Sequence, residues 1–196
     1  LLWPDAACMR GIHTGEWTAH IFEYAMSFEG NMTQVRELAA ANGVGVLHPH
    51  GALATDPPGL VVCDVDSTVT RTEAIDLLAE CAGKADEVRE ITTRAMAGEL
   101  DFAQSLYARV RCLERLHIGA LEEARKATVV TPGTAELVAA AHEVGAAVGL
   151  VSGGFTALVD PLAEQIGADF AASNELEIVD NHLTGRVVGD LSLIHI

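Results

Sequence analysis

Asp64 and Asp66 stand one residue apart, directly after the apolar run Leu60-Val-Val-Cys63 and just ahead of Ser67 and Thr68. Two carboxylates this close repel each other unless a cation or a shared proton intervenes. The pairing suits covalent phosphoryl transfer. One carboxylate holds Mg²⁺ and attacks phosphorus, while its neighbour shuttles a proton to the leaving oxygen. A plainer reading also fits, in which Asp-x-Asp-Ser-Thr is a polar turn leading into a capped helix, and the short motif alone leaves both open. A second candidate lies at Ser152-Gly-Gly-Phe155, where a hydroxyl and two glycines follow the apolar run Ala146–Val151. Such a segment ahead of a helix can turn backbone N–H groups toward a phosphate.

These residues need strands and helices to hold them. Leu60–Cys63 reads as a strand buried on both faces of a parallel sheet, with Cys63 a small buried apolar group. The aspartates then sit at the carboxyl end of a core strand, where open α/β sheets bind ligands. Four apolar stripes at helical spacing follow, through Leu78, Ile91, Leu106 and Leu121. Helices inserted between the first core strand and the next predict a cap over the strand end, able to exclude water and to open and close. Thr131-Pro-Gly-Thr134 begins another helix with Pro near its first turn, and Gly145 ends it. After a helix over 156–166 come short strand segments at 169–171 and 176–179, then a hairpin through Asp180-Asn181 into 182–188.

Ahead of this block, Met32, Val35, Leu38 and Ala39 predict a helix ending near Gly43, and Val44–Leu47 a short strand. Residues 1–30 carry no clear period. The Pro- and Gly-rich segment 48–59 reads as a linker, in which His48 and His50 lack a third metal ligand.

The chain has 196 residues, 49% apolar and 20% charged, a globular composition. A net charge of −16 argues against nucleic acid or an anionic membrane as partner. No run is long enough to span a bilayer. Four cysteines (Cys8, Cys63, Cys81 and Cys112) have no C-x-x-C spacing and no signal peptide beside them, which predicts reduced thiols in the cytoplasm.

Taken together, these residues closely resemble the phosphoserine phosphatase family of the haloacid dehalogenase superfamily. The resemblance runs from about Leu60 to Gly189. It is carried by Asp64-Val-Asp-Ser-Thr68, Glu73, Ala95-Met-Ala-Gly-Glu-Leu-Asp-Phe102, Gln104–Val110, Val151-Ser-Gly-Gly-Phe155, Asp169–Asn174 and Leu183-Thr-Gly-Arg186. It implies an α/β fold, a Rossmannoid parallel sheet with a helical cap at about 72–130, in a domain over 60–190 that is incomplete at its C-terminus. It also implies a role for each matched position. Asp64 would be the nucleophile, forming an aspartyl-phosphate. Asp66 would be the acid and then the base, and Mg²⁺ would be held by the Asp64 carboxylate and the Asp66 backbone carbonyl. Ser152 and Gly153 would hold the phosphoryl group. Glu73 would meet the substrate ammonium, Arg109 its carboxylate, and Met96 and Phe102 would form an apolar wall, although a core role fits those two nearly as well. The activity implied is hydrolysis of O-phospho-L-serine to L-serine, within serine biosynthesis. Residues 1–47 resemble, in part, an amino-acid-binding ACT domain.

The sequence also departs from the family. Lys84 and Lys126, its two lysines, both fall in the cap region, and no Gly-Asp-Gly-x-x-Asp loop is present. Asp190 follows the wrong strand to replace that loop, and 191–196 match nothing in the family. The expectation is a fragment with weakened Mg²⁺ affinity and little activity, and with an exposed sheet edge prone to homo-oligomers. Two alternatives stay open: a phosphatase for another small monoester such as phosphohomoserine or phosphothreonine, and a non-catalytic amino-acid sensor.

Overall fold

A computed structural model describes residues 8–13, 18–22, 32–43, 45, 51–54 and 56–189. The chain divides into two compact units, Leu1–His50 and Gly51–Ile196. In the first, β1 (Cys8–His13) pairs antiparallel with β2 (Thr18–Phe22), and α1 spans Met32–Ala41. The helix expected ahead of Gly43 is therefore present, and a hairpin occupies part of the stretch that showed no period. The strand expected at 44–47, both linker histidines, Asp190 and the tail 191–196 lie outside the described residues.

The second unit is built on a four-stranded sheet in the order β3-β4-β5-β6. Its strands are β3 (Leu60–Cys63), β4 (Ala147–Phe155), β5 (Phe170–Val179) and β6 (His182–Val188). The first three run parallel, and β6 returns antiparallel through the Asp180-Asn181 turn. Both turn residues have positive φ, 50° and 59°, a conformation that Asp and Asn tolerate better than most side chains. The expected α/β fold with a mostly parallel sheet is what forms.

Between β3 and β4 the chain leaves the sheet for α2 (Ala74–Cys81), α3 (Ala85–Met96), α4 (Phe102–Arg111) and α5 (Gly119–Ala127). Their apolar stripes meet in one cluster around Leu78, Val88, Leu106, Val110 and Leu113. Helix α4 opens on a capping box, in which the Asp101 side chain accepts from Gln104 N and the Gln104 side chain accepts from Asp101 N. The outgoing and returning chains pair where they cross, Arg71 N donating to Val129 O and Thr131 N to Val69 O. A second tie links the α4–α5 loop to the hairpin, through Arg115 N to Leu183 O and Leu183 N to Leu116 O.

A separate core lies under the sheet, where α6 (Thr134–Glu143) and α7 (Thr156–Ile166) cover Val148 and Leu150. Leu150 is fully buried at the middle of β4. Leu150→Ala should cost about 2–5 kcal/mol, the range for truncating a buried leucine. Urea unfolding reads this as a lower midpoint at unchanged slope; an unmoved midpoint would show the side chain not to be packed.

Several sequence expectations need correction. Strand β3 is not buried on both faces: Leu60 and Val62 are each 52% exposed, and Cys63 is only partly covered. Among the described residues β3 has one neighbour, β4, so it is an edge. Ser152-Gly-Gly is not a turn after β4 but the end of the strand itself, which runs on to Phe155 and passes straight into α7. The segments at 169–171 and 176–179 belong to one strand, β5, because pairing with β4 resumes at Asn174, opposite Phe155, and pairing with β6 takes over from Glu175. Pro132 precedes helix α6 rather than opening it; Gly133, at φ 93°, is the N-cap.

Candidate active site

Asp64 directly follows β3, and the next residues form a tight irregular loop, Val65–Val69, closed by Thr70 N donating to Val65 O. The helix expected directly after the aspartates is delayed to Ala74. Asp66 nevertheless caps it from a distance, its Oδ1 accepting from Ala74 N at 2.8 Å. Ser152, fully buried at the end of β4, donates from Oγ to Asp66 Oδ2 at 3.3 Å and accepts from Gly154 N at 2.8 Å. The two strand ends singled out from sequence are thus joined through Asp66.

Burial pushes the Asp66 carboxyl above its ordinary value. The Ala74 N–H and the Ser152 hydroxyl oppose that rise, while the charges of Glu73 and Asp64 add to it. A carboxyl biased toward its protonated form suits a proton donor. Asp64 is exposed, its Oδ2 accepting from Thr68 Oγ1 at 3.3 Å.

A cavity of about 280 Å³ opens over these groups, lined by Asp64, Asp66, Glu73, Phe102, Arg109 and Gly153 among others. A second, of about 470 Å³, shares Glu73, Phe102 and Arg109 and adds Asp76, Met96 and Ser105. Met96 is 87% and Phe102 44% exposed, so neither is a core residue, and both form cavity wall. Arg109 is half-buried and makes no ion pair with a described residue; its Nε donates to Ser105 O at 3.4 Å. Burial lowers the proton affinity of its guanidinium, and Asp76, Glu73 and Asp66 raise it, so the group stays a cation. Its remaining N–H donors are available to a planar anion.

Residues 61–195 match the family profile of haloacid dehalogenase-like hydrolases. The chain belongs to that family.

Among curated haloacid dehalogenase-like relatives, a phosphoserine phosphatase of Streptomyces coelicolor is 48% identical over 153 residues, covering 78% of this chain and 37% of that protein. One from Streptococcus thermophilus is 49% identical over 133 residues, 68% of this chain and 62% of its own length. Two solved structures, a phospho-aspartyl intermediate analogue of phosphoserine phosphatase and a substrate-bound phosphoserine phosphatase complex, each superpose with a TM-score of 0.64 at 40% identity. Both cover 68% of this chain and 64% of the solved one. The chain therefore spans less than two thirds of the length of each of these relatives.

Of the residues singled out from sequence, Asp64, Asp66, Glu73, Phe102, Arg109 and Gly153 surround the first cavity and Met96 the second. Ser152 does not line either; its hydroxyl is turned inward to Asp66. Four residues play parts that the sequence reading did not give them. Asp76 enters the second cavity one helical turn after Glu73, a spacing that could have flagged it. Asn174, buried in β5, donates from Nδ2 to Gly153 O at 2.9 Å and steadies the glycine segment. Gly154 packs so closely that a Cβ there would lie 2.8 Å from Asp66 Oδ2 and 3.0 Å from Ser152 Oγ. The fourth, Ser67, contacts Glu73.

Proposed function

We propose that this chain carries the reacting half of a phosphatase for O-phospho-L-serine. The observation that carries the reading is the meeting of Asp64, Asp66, Glu73 and Arg109 around one cavity. The names of the curated relatives and of the two solved structures support it. A phosphate monoester needs a nucleophile and a proton donor, and an amino acid needs an anion for its ammonium and a cation for its carboxylate. This cavity offers all four.

In the reaction proposed, a carboxylate oxygen of Asp64 attacks phosphorus, and the bond from phosphorus to the serine oxygen breaks. Asp66 gives its proton to that oxygen, releasing L-serine. It then takes a proton from the water that cleaves the aspartyl-phosphate, and phosphate leaves. Ser152 orients Asp66, and Gly153 presents backbone to the phosphoryl group. Arg109 grips the substrate carboxylate, and Glu73 pairs with its ammonium.

The Asp64 carboxylate and the Asp66 backbone carbonyl are oxygen donors of the kind Mg²⁺ takes beside water and substrate phosphate. When bound, it would neutralise charge building on the phosphoryl oxygens. Among the described residues no cluster of three His, Cys, Asp or Glu side chains forms. No described helix is long and apolar enough to cross a membrane, and Cys63, Cys81 and Cys112 are free thiols, as suits a reducing cytoplasm. Serine biosynthesis would be the setting.

Glu73→Ala and Arg109→Ala test the amino-acid readout. Each should lower kcat/KM for phosphoserine by about 10²-fold, since each breaks a charge-assisted contact, while p-nitrophenyl phosphate hydrolysis changes by less than about threefold. Equal losses on both substrates would contradict the readout.

A further inference from the structure

Glu73 occupies the N-cap position of α2, yet its side chain makes no capping bond. Asp66 takes the Ala74 N–H in its place. The Glu73 carboxylate faces the cavity and accepts a hydrogen bond from Ser67 Oγ at 2.5 Å. Ser67 reaches it through an uncommon backbone conformation, φ 56° and ψ 14°, that non-glycine residues rarely adopt. A sterically disfavoured backbone persists where its surroundings enforce it, and such residues gather at binding sites. The enforcement is visible: the loop is closed by Thr70 N and Thr70 Oγ1 on Val65 O, and pinned from outside by Thr131 Oγ1 on Thr68 O at 2.8 Å.

From this we propose that Ser67 is a positioning residue for Glu73. It aims one carboxylate oxygen and leaves the other to meet the ammonium of the substrate. Asp66 and Ser67, adjacent in one loop, thereby fix the proton donor and the amino-group reader to each other. Selectivity for an amino-acid ester is then set partly by a side chain that touches no substrate atom. This inference rests on the phosphoserine reading above.

The test compares dissociation constants for O-phospho-L-serine and for 3-(phosphonooxy)propanoate, which lacks only the ammonium, by calorimetry in EDTA to prevent turnover. The wild-type chain should prefer phosphoserine. Ser67→Ala should weaken phosphoserine binding roughly tenfold, the size of one charge-assisted hydrogen bond, and move the deamino ester by less than about twofold. Ser67→Gly adopts the same backbone without a Cβ, so it should show the same loss if the hydroxyl matters, and it decides the matter should the Ala variant not fold. Retained preference in the Gly variant would overturn the role of Ser67 and leave the phosphoserine reading intact. A wild-type chain that binds both esters equally, or neither, would overturn the two together.

Discussion

Asp64→Asn is expected to bring the phosphoserine turnover of this chain down to the uncatalysed background. An amide oxygen does not form the acyl-phosphate, and losing a covalent nucleophile removes the whole low-barrier route rather than one contribution to it. The substitution should leave the fold alone. Asp64 is exposed, and the carbonyl of the new amide can still accept from Thr68 Oγ1. Exposed exchanges of this kind stay within about 0.5 kcal/mol. Steady-state kinetics beside a thermal melt separates the two effects. A fall of less than tenfold at an unchanged melting point would show that Asp64 is not the nucleophile.

Asp66→Asn should divide activity from stability. Turnover should fall by about 10²–10⁴, the usual worth of a positioned acid–base group. The same change should stabilise the metal-free chain at neutral pH. Burial raises the Asp66 pKa from 3.8, so the folded state holds this proton more tightly than the unfolded state. That contribution is complete below 3.8 and is lost as pH rises through the folded value. The amide that replaces the Asp66 carboxyl never ionises, so the variant loses nothing over that window. It keeps an acceptor for Ala74 N, although its amide hydrogens meet the Ser152 hydroxyl in place of a carboxylate oxygen. The melting point of the variant in EDTA should exceed that of the parent at pH 7, and the gap should close as pH falls toward 4. A variant less stable at pH 7 would mean the charged carboxylate is well solvated or well paired.

How far the sequence foretold this arrangement depended on the range of the interaction. Asp64 and Asp66 were legible because an apolar run, two carboxylates and two hydroxyls stand next to one another, and local order is what sequence pattern reports. The four helical stripes were legible for the same reason, and they pack as one cluster. Leu60–Cys63 was legible as a strand, and among the described residues the exposed sheet edge expected from the sequence falls on it. Apolar residues announce a strand without saying how many neighbours it has, and Leu60 and Val62 lie exposed. The end of β4 was hidden differently. Ser152, Gly153 and Gly154 have turn chemistry, and it is the pairing of Phe155 with Asn174 that keeps them extended. Glu73 and Arg109 came from family resemblance, and only the fold puts them on one cavity. The place of Ser67 needed coordinates, because it rests on a rare φ, whereas the spacing of Asp76 from Glu73 was there to be read before the fold set it beside Arg109.

The glycines at the site make the same point. Gly154 looked like phosphate-loop chemistry, yet its clearest constraint is steric, since a Cβ would strike the Asp66 carboxylate that Ser152 and Ala74 hold in place. Glycine here leaves room for the Asp66 carboxylate.

The central claim, that Asp64 is phosphorylated by O-phospho-L-serine, is tested most directly by mass spectrometry of the acid-quenched protein. The chain would be mixed with phosphoserine and Mg²⁺, quenched within the first turnovers and digested. A phosphoryl group on Asp64, absent from Asp64→Asn and weaker in a sample given the deamino ester at the same concentration, is the predicted result. Release of serine with no phosphoryl group on Asp64, or with the label on Ser67 or Thr68, would contradict it.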